Sequence, residues 1–157
     1  MIKFIATCFF FAGTLFAQPP YSVGEETQPS EKLLWKQDLL SVIEQAQSSG
    51  KAIYVAFTGL DWSVASKQWN RKIFKSNAFS EFAEEHLHLI LVNAQRKPKM
   101  NKLQLARIQA MAIEFDIKSY PTFILLNSDG HEIHRHSYLD VSPQDYVEAL
   151  ENLIPPS

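Results

Sequence analysis

The sequence predicts a single α/β domain built on a central mixed β-sheet with helices on both faces, and three observations predict it. The first is Ala52-Ile53-Tyr54-Val55-Ala56-Phe57, a nearly continuous β-prone run of the kind that forms a strand covered on both faces. The second is the alternation of such runs with segments whose apolar residues recur at helical spacing. The third is Asn127-Ser128-Asp129-Gly130, a turn signal between two short extended segments, which places a hairpin beside the βαβ portion. A length of 157 residues allows one domain with a sizeable core and is too short for two of ordinary size.

The elements follow in order. Ser30-Glu31 is a helix start, and Trp35, Leu39, Val42, Ile43 and Ala46 form one apolar stripe behind it. Ser48-Ser49-Gly50 ends that helix, with glycine free to turn left-handed. The strand 52–57 is broken by Thr58-Gly59-Leu60-Asp61. A helix runs from about Ser63 with Ala65, Trp69 and Ile73 on one face, and a second piece runs from Ala78 to about His86. Leu87 to Val92 is an apolar strand, and Asn93 to Asn101 a polar loop. Leu103 to Phe115 is a helix expected to turn Leu103, Ala106, Ala110 and Ile113 inward. Thr122 to Leu126 and Glu132 to about Tyr138 are the hairpin strands. Ser142-Pro143-Gln144-Asp145 then opens a last helix with a cap, a first-turn proline and an early acid; Tyr146, Val147, Leu150 and Leu153 are its apolar face.

The N-terminus has the layout of a secretory signal peptide. Lys3 provides a basic tip, Phe4 to Phe16 are almost wholly apolar, and Ala17 precedes Gln18-Pro19-Pro20. Such a run is shorter than the roughly 20 apolar residues that span a bilayer. Residues 1–17 are therefore expected to be a signal peptide, 18–29 a flexible leader rich in Pro, Gly, Glu and Ser, and 30–157 the domain. This predicts an exported protein, periplasmic or secreted, with no membrane contact after signal removal. The one cysteine, Cys8, lies in the apolar run and leaves with it, so the mature chain is expected to have no disulfide. Charged residues at 20% and a formal net charge of −2 offer no electrostatic reason for a nucleic-acid partner.

Two places stand out as chemistry. In Phe57-Thr58-Gly59-Leu60-Asp61-Trp62-Ser63-Val64-Ala65-Ser66-Lys67 a strand passes through a short turn into a helix. In Ser119-Tyr120-Pro121-Thr122-Phe123 a proline stands immediately before a buried strand. Together these resemble the thioredoxin superfamily, in particular the exported members with a Trp-Cys-x-x-Cys-Lys motif. The resemblance covers about Ser30 to Ile154 and includes the order of the first helix, the Tyr-Pro-Thr step and the Ser-Asp-Gly turn.

That resemblance implies a thioredoxin-like fold and points to thiol–disulfide oxidoreductase or isomerase activity. In the family the first cysteine attacks a disulfide from the exposed start of its helix, and the second resolves the mixed disulfide. The matching positions here are Ser63 and Ser66, whose hydroxyls cannot form a disulfide, so the dithiol mechanism is lost. The buried carboxylate that many thioredoxins carry on the preceding strand is matched by Ala56. Ser63 is placed to N-cap its helix, accepting from the backbone of Ser66. No Gly-x-Ser-x-Gly or Ser-x-x-Lys pattern surrounds it to support a serine nucleophile.

The resemblance further implies a cis Pro121 and a loop that pairs with extended peptide, a role that needs no sulfur. Trp62, Ser63, Tyr120 and Pro121 are then the expected groove, its aromatic rings acting as anchors or packing against the domain. The expected partner is a peptide segment or an unfolded or exported protein, with no cofactor and no metal. His131, His134 and His136 lie close in sequence, the last two on one strand face, but polar side chains on an exposed hairpin are the expectation rather than metal ligation. Arg96-Lys97-Pro98-Lys99 with Lys102 forms a basic loop expected to be solvated.

Overall fold

The computed structural model describes residues 33–97 and 100–154; the expected signal peptide with Cys8, the leader and the helix start at Ser30 lie outside them. Eleven elements follow one another. They are β1 (Trp35–Lys36), α1 (Leu39–Ser49), β2 (Ala52–Thr58), α2 (Val64–Trp69), a π-helical turn (Asn70–Phe74), α3 (Asn77–His86), β3 (Leu87–Asn93), α4 (Lys102–Glu114), β4 (Thr122–Leu126), β5 (Glu132–Ser137) and α5 (Pro143–Glu151). The five strands make one mixed sheet in the order β1-β3-β2-β4-β5. The pairs β1·β3 and β2·β3 are parallel, and β4 is antiparallel to both β2 and β5.

β2 is buried along its whole length because it is central and both its faces carry a core. Tyr54 and Ala56 point to one face, where Trp69, Ile73, Phe79 and Leu150 pack. Ile53, Val55 and Phe57 point to the other, against Val42 and Ala46 of α1 and the partly buried Ile108 and Met111 of α4. Helices thus cover both faces. Their starts are written in the sequence: Asp38, Ser63, Ser76, Asn101 and Ser142 each accept a backbone N–H of the first turn, and Asn101 forms a reciprocal capping box with Gln104. Gly50, at φ 74°, closes α1 by donating to the Ala46 carbonyl.

Two expectations are corrected. The helix that carries Val42 and Ala46 begins at Leu39 and does not include Trp35, which belongs to a short edge strand. Trp35 pairs with Leu89 and sets its ring 4.8 Å from that of Phe74. It therefore packs on the opposite side of the sheet from Val42 and Ala46, with which it shares an apparent helical stripe. The inward face of α4 is also different. Leu103 and Ile113 are 62% and 80% exposed, Ala106 and Ala110 are exposed, and Ile108 and Met111 turn toward the sheet. Apolar residues lie almost all round this helix, so helical spacing does not single out one face.

Candidate functional site

The site forms at the end of the sheet where β2 and β3 finish and β4 begins, since Phe57 is in register with Thr122 and Thr58 with Asn93. This register brings the turn after β2, the start of α2, the loop after β3 and the Tyr120–Pro121 step together. Asn93 secures the turn, its Oδ1 accepting from the Leu60 N–H at 2.9 Å, while Ala94 N–H donates to the Thr58 carbonyl at 2.8 Å.

Ser63 sits at the N-terminus of α2 and is buried. Its Oγ accepts from the Ser66 N–H at 3.2 Å and donates to the Tyr120 carbonyl at 3.4 Å, so it caps the helix and links it to the loop before β4. Ser66 is fully buried, and its Oγ accepts from the Gly59 N–H at 3.1 Å. Both hydroxyls are used by backbone groups. No basic or acidic side chain hydrogen-bonds Ser63 among the described residues, and a serine nucleophile requires such a base. Ala56, buried behind the site, lies within the apolar core that includes Trp69 and Phe123.

Trp62 and Tyr120 stand side by side, ring centroids 5.7 Å apart in an edge-on arrangement. Both are half-buried, and burial raises the Tyr120 phenol above its ordinary range. The Tyr120–Pro121 peptide bond is cis. The four residues expected to share a groove, Trp62, Ser63, Tyr120 and Pro121, are thus contiguous in space.

Three contributors carry no clear mark in the sequence. The indole Nε1 of Trp62 donates to the Ala94 carbonyl at 2.7 Å, and the Arg96 guanidinium lies over the Trp62 ring at 4.1 Å. Asp61 Oδ2 accepts from the Arg96 and Lys97 N–H groups at 2.8 and 2.9 Å. Partial desolvation opposes ionisation of Asp61, but these two backbone donors outweigh it and hold the carboxyl below its usual range. Gly59 is the third: a Cβ there would come within 2.3 Å of Trp62 Cε2, so only glycine lets the indole lie across the turn.

The histidines separate. The rings of His134 and His136 lie on one face, 5.8 Å apart, but His136 reaches inward, its Nε2 2.8 Å from the Tyr146 hydroxyl. Its Nδ1–H donates to the Ser137 carbonyl at 2.7 Å, so Nε2 accepts from Tyr146, whose oxygen accepts from Tyr54 at 2.7 Å. Burial, opposed by that carbonyl and reinforced by His134, lowers the His136 imidazole from its usual value. Desolvation raises both phenols well above theirs. No group of three or more metal-ligating side chains occurs among the described residues. None of their helices is long and apolar enough to cross a membrane.

No protein-family model matches the sequence. Over 132 residues the chain is 22% identical to the disulfide bond reductase DsbH of Chlamydia pneumoniae, covering 83% of this chain and 79% of that protein. A solved DsbH oxidoreductase superposes with a TM-score of 0.73 at 20% identity, covering 92% of this chain and 94% of the other. A thioredoxin from Thermus thermophilus superposes with a TM-score of 0.57 at 16% identity over 78% and 88% of the two chains. With its five-stranded mixed sheet, flanking helices and site at the β2–α2 turn, the chain has the thioredoxin-like fold.

Proposed function

We propose that this chain is an exported thioredoxin-fold binding module that holds an extended peptide or protein segment without thiol chemistry. The observation that carries this reading is the state of Ser63 and Ser66: both hydroxyls are committed to backbone groups at the positions that match the family's cysteines. Only Cys8 could supply a thiol, and one cysteine cannot close an intramolecular disulfide. The groove of Trp62, Ser63, Tyr120 and Pro121 offers two aromatic anchors beside a loop suited to strand-like pairing. The apolar N-terminal run supports export to the periplasm or beyond.

The similarity to DsbH favours a second reading, thiol–disulfide oxidoreductase or isomerase activity. It requires either that a partner supply the thiols or that the serines stand artificially where cysteines belong.

A photoreactive group at position 62 of the exported chain, together with an insulin-reduction assay, separates the two. The binding reading expects crosslinked peptide or protein, lost on Tyr120→Ala, with no insulin reduction by the unaltered chain. It also expects that Ser63→Cys with Ser66→Cys restores reduction. Reduction by the unaltered chain, or a blank crosslink, would overturn it.

A further inference from the structure

The geometry points to a second binding site, separate from the Trp62 groove: a cleft at the open edge of β3 that takes an extended acidic peptide segment by strand addition. β1 pairs with β3 only at Leu89 and Ile90. Chain direction then turns away through Gln37 into α1, so Leu91 to Asn93 have no strand beside them on that edge among the described residues. An unpaired strand edge is a template for another extended chain.

At this uncovered stretch lies a cleft of about 240 Å³. Val92, Ile108 and Met111, which share one face of the sheet, supply its apolar lining. Leu91 and Asn93 border it along the strand, and Gln37, Gln104 and Arg107 also line it. Side chains of an added strand alternate in direction, so every second one would enter an apolar cleft while the others meet its rim. The concave shape suits a single strand better than a flat lipid surface.

Charge selects the segment. From Asn93 to Ile113 the sequence carries Arg96, Lys97, Lys99, Lys102 and Arg107 and no carboxylate, in a chain whose net charge is −2. Arg107 is exposed at the rim and enters no ion pair among the described residues. Alternating carboxylates on an incoming strand would meet Arg107 at the cleft and the added positive charge of Lys102 on the same helix, whereas a basic strand would be repelled.

The test is fluorescence anisotropy with the full chain and two labelled peptides of about eight residues, a typical strand length, one alternating Val with Glu and the other Val with Lys. The Val/Glu peptide is expected to bind and the Val/Lys peptide not to. Arg107→Glu, at an exposed position that leaves the core untouched, should weaken binding about tenfold. Tyr120→Ala should leave it unchanged, which separates this site from the groove. Backbone amides of Leu91 to Asn93 should shift in NMR spectra and gain protection from exchange on titration. Equal binding of both peptides, indifference to Arg107→Glu, or shifts centred on Trp62 and Tyr120 would overturn the assignment. So would binding of vesicles containing phosphatidylglycerol in place of the peptide. Edge protection that needs no peptide and disappears when residues 18–29 are deleted would make the chain's own segment the occupant, and would overturn the partner assignment.

Discussion

The Arg96 guanidinium lies 4.1 Å over the ring of Trp62, so the most prominent side chain of the groove is held by the loop after β3. The Trp62 Nε1–H bond to the Ala94 carbonyl comes from the same loop. Orientation of the indole is therefore set by two chain segments, its own turn at Gly59 and the loop after β3, and each can be perturbed separately.

Gly59→Ala tests the closest approach. The added methyl would meet the Trp62 ring at 2.3 Å, and the indole must leave the turn or the turn must open. A stability loss of about 1–3 kcal/mol is expected, as for overpacking elsewhere. NMR should show the Trp62 indole N–H losing its hydrogen-bonded shift.

Asp61 anchors the loop electrostatically. Its folded carboxyl titrates below the unfolded value of about 3.9, so its contribution is complete above that value and disappears as pH falls through the folded one. Amide exchange at Arg96 and Lys97 should accelerate in Asp61→Ala at neutral pH. In the unaltered protein the same change should be confined to strongly acid solution.

The buried hydroxyl chain sets an order of costs. Tyr146→Phe strands both the Tyr54 hydroxyl and His136 Nε2, whereas Tyr54→Phe leaves Tyr146 still donating to His136. Urea unfolding should therefore give a loss of about 2–3 kcal/mol for Tyr146→Phe and about 1 kcal/mol for Tyr54→Phe. Equal losses would contradict the assigned direction of the chain.

His136 makes stability depend on pH. Because its folded value is depressed, the unfolded chain binds the extra proton first as pH falls below about 6.5. Stability should be level above that point and decline from it down to the folded value. Comparing Tm at about pH 8 and about pH 5 should show the drop. His136→Gln, which keeps an acceptor for Tyr146, should reduce it.

Local signals carried much of the architecture. The helix starts at Ser63 and Ser142, Gly50, the β2 run and the turn at Asn127 to Gly130 are short-range chemistry, and each lies where the residues indicate. Trp35 was illegible because a strand of two residues leaves no period of its own, and its partner Leu89 is far along the chain. The face of α4 was hidden by apolar residues on several sides. At the site, the helix cap at Ser63 was readable from the local sequence. The Arg96–Trp62 stack and the Asp61 bonds join positions more than thirty residues apart, and nothing in either segment announces the other.

Ser66 fills its buried position with a hydroxyl satisfied by Gly59, and no cysteine occurs from Leu33 to Ile154. A hydroxyl has no disulfide counterpart to alternate with. No disulfide can therefore open or close within residues 33–154. The binding proposed for its surfaces would then need no pair of thiols kept either reduced or joined, and the switch between two covalent forms that a dithiol brings is one this stretch of chain does not contain.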